Sequence, residues 1–320
     1  MAVNKSDWIW FNGRMVPWAD AQVHVMTHAL HYGSSVFEGI RVYPTPDGLR
    51  VFRLQAHVRR MLESAKIHHI AIPYSAADIS AACCGVVARN ELNDGAYIRP
   101  IAFRGYGDIG LAPGPEHPVE TVIAAWQWGA YLGSEALEHG VDAGISSWQR
   151  MAPNTLPALA KAGGNYLSST LISLEAKANG FAEGIALATD GTVSEGAGEN
   201  LFIVKDDKVY TPTTAASILT GITRDTIITL AAEAGIQVIE QSIPREMLYI
   251  ADEVFMTGTA AEVTPVRSVD RIPVGTGTRG EITRDLQERF FGLFNGKTTD
   301  QWGWLEPVEA NARSQQQAAS

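Results

Sequence analysis

The sequence predicts an α+β fold in two domains. Strand patterns come in clusters, helical patterns fall in separate runs between them, and no regular βαβ alternation joins the two. A length of 320 residues agrees, since one domain usually takes roughly 100–200.

The elements follow in order. Trp8-Ile9-Trp10-Phe11, the pair Asn12-Gly13 and Met15-Val16-Pro17-Trp18 read as a hairpin, because Asn-Gly tolerates the positive φ angles of a tight turn. Ser35 to Tyr43 reads as a second strand, returning through Pro44-Thr45-Pro46-Asp47-Gly48 to Leu49–Phe52. Helical spacing runs from His57 to His68, and Ser75 is placed to cap a helix that reaches Asn90. Ala96–Phe103 and Thr121–Gln127 are further strands. At Trp128-Gly129-Ala130-Tyr131-Leu132-Gly133 the pattern breaks, and two glycines with two aromatics suit a connector that carries function. Beyond it, Gly184–Leu187, Leu201–Val204, Gln237–Glu240 and Val254–Thr257 read as strands, with a turn at Asp190-Gly191 and a helix over Thr223–Ala234. The expected division is therefore a smaller N-terminal α+β domain over 1–127, an interdomain loop over 128–135, and a larger C-terminal α+β domain over 136–308. The polar stretch 309–320 is expected to be disordered.

Composition narrows the function. Hydrophobic residues make up 46% and charged residues 19%, an ordinary globular balance. A formal net charge of -10 argues against nucleic acid or an anionic membrane as the main partner, since both demand a basic face. No apolar run is long enough for a signal peptide core or a membrane helix, so a cytoplasmic protein is expected. Cys83 and Cys84 are adjacent in an alanine-rich helical run and read as two small buried thiols in a reducing compartment.

One residue stands out chemically. Among seven lysines, Lys161 is the only charged side chain between Met151 and Leu174. A lysine among apolar and small residues loses solvation, which favours the neutral, nucleophilic amine that Schiff-base chemistry with a carbonyl cofactor needs. Gly163-Gly164 would let a flat ring approach the backbone. Taken alone, the pattern suits better a lysine that extends to water over its apolar stem.

Two other patterns lead nowhere. Gly105-Tyr106-Gly107-Asp108-Ile109-Gly110 fits a dinucleotide fingerprint, but Pro113, Pro115 and Pro118 follow where that motif needs a helix. His24, His28 and His31 have the spacing of ligands on one helix face. The valine-rich, glycine-ended run suits a strand-to-turn path at least as well, so a structural or subunit-contact role is expected and no metal.

Seven blocks in order carry a resemblance. They are His28–Arg41, Ala96–Pro100, Trp128–Gly133, Lys161–Tyr166, Ser194–Asn200, Gly221–Asp225 and Phe255–Glu262. Together they are similar to the branched-chain-amino-acid aminotransferases, on the type IV fold of pyridoxal-phosphate enzymes. The resemblance covers nearly the whole chain, from about Trp8 to Trp304. It implies a cofactor, pyridoxal 5'-phosphate, held covalently by Lys161, the catalytic residue. Glu195 would face the ring nitrogen, with Glu199 as its rival from sequence alone, and Tyr166 the phenolate. Arg60, Leu219, Ile222, Thr223 and Thr259 would complete the ring and phosphate contacts. For the substrate it implies an apolar wall of Phe37, Ile109, Leu111, Trp128 and Tyr131. Tyr97 and the amides of Thr259 and Ala260 would take the α-carboxylate, and Arg99 with Tyr32 the glutamate side chain.

The implied reaction is a ping-pong transamination between leucine, isoleucine or valine and 2-oxoglutarate, in at least a homodimer. Related families on this fold use D-amino acids or (R)-amines, and a homologue that has lost catalysis is the remaining alternative. Arg104 to Glu120 departs from the family pattern and leaves fine selectivity open.

Overall fold

A computed structural model of the chain describes residues 4–129 and 134–308. Two units separate. One comprises Met1–Gly129, Ala160–Gly164 and Asp300–Ser320, the other Ala130–Leu159 and Asn165–Thr299. This departs from the expected division at two places, and backbone pairing explains both. Ala162 bridges Val36, and Phe37 N–H donates to the Lys161 carbonyl at 3.0 Å, which ties the lysine segment to the first unit. Leu305–Pro307 returns to pair with Gly48–Phe52.

In the first unit an antiparallel sheet runs in the order Leu305–Pro307, Gly48–Phe52, Ile40–Thr45, Ala96–Arg104, Val119–Gln127, Trp8–Phe11, Arg14–Pro17. The hairpin turn forms as expected, with φ +47° at Asn12 and +89° at Gly13. Helices Leu54–Ile67 and Ala76–Arg89 cover one face. Leu54, Val58, Ile79, Cys83 and Val86 pack there against Ile40, Val42, Ala96, Ile98 and Ile123. Ser75 caps the second helix in a reciprocal capping box with Asp78. Cys83 is buried, but Cys84 is only half-buried, in contrast to the expected pair of buried thiols.

The single strand expected over Ser35–Tyr43 is broken into Ser35–Phe37 and Ile40–Thr45. Both pieces pair with Ala96–Arg104 in one register, Phe37 opposite Ile101 and Ile40 opposite Ile98. Between them stands Pro100, whose carbonyl accepts from Glu38 N–H at 2.9 Å but which has no N–H to return. Gly39 fills the gap, since a Cβ there would run into the Tyr97 hydroxyl.

The second unit holds a mixed sheet. Its order is Val193–Gly196, Glu183–Leu187, Val141–Ile145, Glu262–Val269, Glu253–Gly258, Asn200–Lys205, Lys208–Thr211, Val238–Glu240. Parallel neighbours need a crossover. Helix Tyr166–Ala178 precedes Glu183–Leu187, which runs parallel to Val141–Ile145. Helix Ile222–Glu233 likewise precedes Val238–Glu240, which runs parallel to Lys208–Thr211. Among the described residues no helix is long and apolar enough to cross a membrane.

Candidate active site

In the first unit, alternation along the strands sorts the candidates onto two faces. Ala96 and Ile98 join the helix-covered core, so Tyr97 and Arg99 point to the other face, where Trp126 stands opposite Tyr97. The Arg99 guanidinium lies 5.0 Å from the Phe37 ring centre, 5.4 Å from Tyr97 and 5.9 Å from Trp126. Its Nη2 donates to the Tyr97 hydroxyl at 3.3 Å, and the Trp128 ring lies 5.0 Å from Tyr97. An arginine walled by aromatic faces keeps its charge while its fork stays oriented. Five residues are thus brought together, and Trp126 is one that sequence reasoning missed.

Lys161 is half-buried, with Nζ 4.9 Å from the centre of the Phe37 ring. Its backbone is pinned on both sides. Its N–H donates to Ser64 Oγ at 3.0 Å, and its carbonyl accepts from Phe37.

On the helix-covered face, Arg60 has a partner that the sequence did not announce. Its Nε donates to Glu38 Oε1 at 2.7 Å and its Nη2 to Oε2 at 2.8 Å, a parallel fork. His57 Nδ1 lies 2.7 Å from Glu38 Oε2. Burial alone would raise the Glu38 carboxyl; the Arg60 guanidinium and His57 outweigh it and hold the group well below the usual carboxylate range. Burial lowers His57, so a neutral ring donates through Nδ1–H to an ionised Glu38. Arg59, by contrast, is exposed. The signal for Glu38 was a charge at a core position between Val36 and Ile40.

Tyr32 is 43% exposed, Ile109 48% and Leu111 88%, so none of the three is walled in by this chain. Tyr131 lies outside the described residues. His28 to Tyr32 forms a short helix, one of the two paths the run left open, and turns its histidines to separate partners. His28 bonds Ser34 and the Gly110 carbonyl, His31 the Val25 carbonyl, and His24 accepts from Met26 N–H. Among the described residues no group of three or more His, Cys, Asp or Glu is placed to hold a metal ion.

The second unit organises a different set around Glu195, which is buried. Oε1 lies 2.7 Å from Arg150 Nη2. Oε2 accepts from Leu219 N–H at 3.0 Å and Asn200 Nδ2 at 3.1 Å, and Asn200 also donates to the Leu219 carbonyl at 2.8 Å. Arg150 and Asn200 escaped the sequence reading. Arg150 stands just before the charge-free run that drew notice to Lys161.

Glu199, the rival, is buried too, and its Oε2 accepts from Gly198 N–H at 3.0 Å. Its neighbour Glu183 is pushed up to about 8 by burial, with Glu199 adding to the rise. Helix Ile222–Glu233 starts behind an extended Gly221 with no side-chain cap, and both Ile222 and Thr223 are buried. Tyr166 opens its helix half-buried, while Thr259 and Ala260 lie in the turn joining Glu253–Gly258 to Glu262–Val269.

Known proteins resemble the chain over nearly its whole length. A family model described as amino-transferase class IV matches residues 35–269. The branched-chain-amino-acid aminotransferase of Salmonella typhimurium is 56% identical over 310 residues, 97% of this chain and 100% of its own length. The crystal structure of the Escherichia coli branched-chain amino acid aminotransferase superposes with a TM-score of 0.94 at 57% identity, covering 95% of this chain and 100% of that one. That of the T.th. branched-chain amino acid aminotransferase, complexed with N-(5'-phosphopyridoxyl)-L-glutamate, gives 0.90 at 43% identity and covers 95% and 99%. The chain belongs to the class IV aminotransferases.

Proposed function

We propose that the protein transfers the amino group of leucine, isoleucine or valine to 2-oxoglutarate with pyridoxal 5'-phosphate as cofactor. The observation that carries this is the seating of Lys161, whose backbone is pinned on both sides while its amine rests against an aromatic ring.

The residues present fit the cofactor's chemistry. A buried glutamate partnered by an arginine suits a cationic ring nitrogen. A buried helix start without a side-chain cap suits a phosphate. When bound, the cofactor supplies a protonated pyridine ring that takes up the electron pair released when the substrate Cα–H bond breaks. Lys161 Nζ takes the Cα proton and returns it one position away, as general base and then acid. Glu195 would accept the hydrogen bond of the protonated ring nitrogen, and the Tyr166 hydroxyl would donate to the phenolate oxygen. Leu219 lines the ring, and Arg60, Ile222, Thr223 and Thr259 hold the phosphate.

Phe37, Ile109, Leu111, Trp128 and Tyr131 make the apolar wall for the branched side chain. Tyr97 and the amides of Thr259 and Ala260 take the α-carboxylate. Arg99, with Tyr32, takes the side-chain carboxylate of glutamate in the second half-reaction. The exposure of Ile109 and Leu111 supports a working unit of at least two copies.

The test is optical. The purified chain, loaded with pyridoxal 5'-phosphate, should change its visible absorbance on adding L-leucine and revert on adding 2-oxoglutarate. D-leucine and (R)-1-phenylethylamine should leave the spectrum unchanged. A spectrum indifferent to L-leucine sinks the proposal, and a response to either of the other donors moves the enzyme to the D-amino acid or (R)-amine class.

A further inference from the structure

Arg150 is 6% exposed, and its side chain has one partner among the described residues, Glu195 Oε1. Its Nε–H is buried with no acceptor among them. An arginine kept only to stitch the fold would be expected to satisfy its guanidinium more fully, because each buried donor left without a partner costs stability. The main chain fixes where this arginine sits. Arg150 N–H donates at 2.9 Å to the carbonyl of Leu187, the last residue of the strand Glu183–Leu187 that pairs with Val193–Gly196. The segment that carries Arg150 and the strand that carries Glu195 therefore flank the same strand, Glu183–Leu187. The other oxygen of Glu195 is set by Leu219 N–H and Asn200, so the plane of the carboxylate is fixed by three groups.

We propose that Arg150 is a positioning residue for Glu195, holding it as an ionised and oriented acceptor so that the shared proton rests on the ring nitrogen of the cofactor. This rests on the reading of Glu195 as the partner of that nitrogen. The physical reason is competition for one proton. A carboxylate and a pyridine nitrogen in hydrogen-bond contact share it according to their relative affinities, and an adjacent guanidinium lowers the affinity of the carboxylate. Without Arg150, Glu195 would hold the proton more tightly, by roughly tenfold or more, and the ring would become neutral. A neutral ring is a poorer electron sink, so the loss would fall on the chemical step more than on substrate binding.

The experiment uses the full chain loaded with pyridoxal 5'-phosphate labelled with ¹⁵N in the ring. In the unaltered protein at neutral pH the ring nitrogen should resonate as a pyridinium. In Arg150→Gln, which keeps a donor toward Oε1 but no charge, the resonance should move toward that of neutral pyridine. Arg150→Lys, which restores a cation, should bring it most of the way back. A purely structural arginine would change stability or cofactor affinity and leave the resonance of the bound fraction where it was; that result overturns the proposal. Should Arg150→Gln not fold, Arg150→Lys at raised pH serves instead. Its resonance should begin to move as the new amine loses its proton, and a resonance that holds still overturns the proposal. Failure of the unaltered chain to bind the cofactor at all would instead overturn the reading of the site.

Discussion

Each unit buries glutamate, and Glu38 in the first and Glu183 in the second end in different charge states. Glu38, fully buried in the first unit, is ionised. Glu183, 5% exposed in the second, is pushed up to about 8 and holds its proton at neutral pH. Burial opposes the charged form in both places. What differs is the neighbour. Glu38 faces the fork of Arg60 and the N–H of His57, whereas Glu183 lies near a second carboxylate, Glu199. Burial pushes a carboxylate toward its neutral form, and a cationic partner is what reverses it. Glu195, like Glu38, has an arginine as its partner, Arg150.

The comparison can be broken most forcefully at Glu38. Replacing it by Ala leaves the Arg60 guanidinium buried without its carboxylate, which should lower the unfolding free energy by roughly 3–5 kcal/mol in a urea titration. Because the folded carboxyl is depressed, its stabilisation is present above its ordinary value of 4.5 and is lost as pH falls below that. Glu38→Gln should accordingly be least different from the parent in acid. A cost for Glu38→Ala below about 1 kcal/mol would mean that the pair contributes little.

At Glu183 the sign reverses. Its folded value lies above the unfolded one, so its contribution is fully present below 4.5 and declines as pH rises toward about 8. Glu183→Gln, neutral throughout, should gain on the parent across that window, with the gap widest near the upper end. A gap that narrows as pH rises would refute the assignment. The smallest effect belongs to an exposed carboxylate. Asp78 is held low by hydrogen bonds from Ser75 and not by burial. Ser75→Ala should cost about 1 kcal/mol through the lost helix cap, with little change in activity.

Much of the chain was legible in advance because its signals are local. Asn12-Gly13, the Ser75 cap and the period-two strands each depend on neighbours within a few residues. The lysine stood out for the same reason, as one charge in a long uncharged run. Helix Glu281–Asn295 and the strand Glu262–Val269 were not anticipated, since charges and a proline interrupt their patterns.

By itself, the sequence determined the α+β class, the individuality of Lys161 and, through seven ordered blocks, the family. Only the tertiary structure decided which unit holds that lysine, because the choice rests on its pairing with a strand more than a hundred residues earlier. It also decided which of two adjacent arginines, Arg59 or Arg60, is buried on a carboxylate, and that Arg150 sits on Glu195. Such ion pairs join residues distant in the chain, and their charge states depend on the water that the surrounding fold removes.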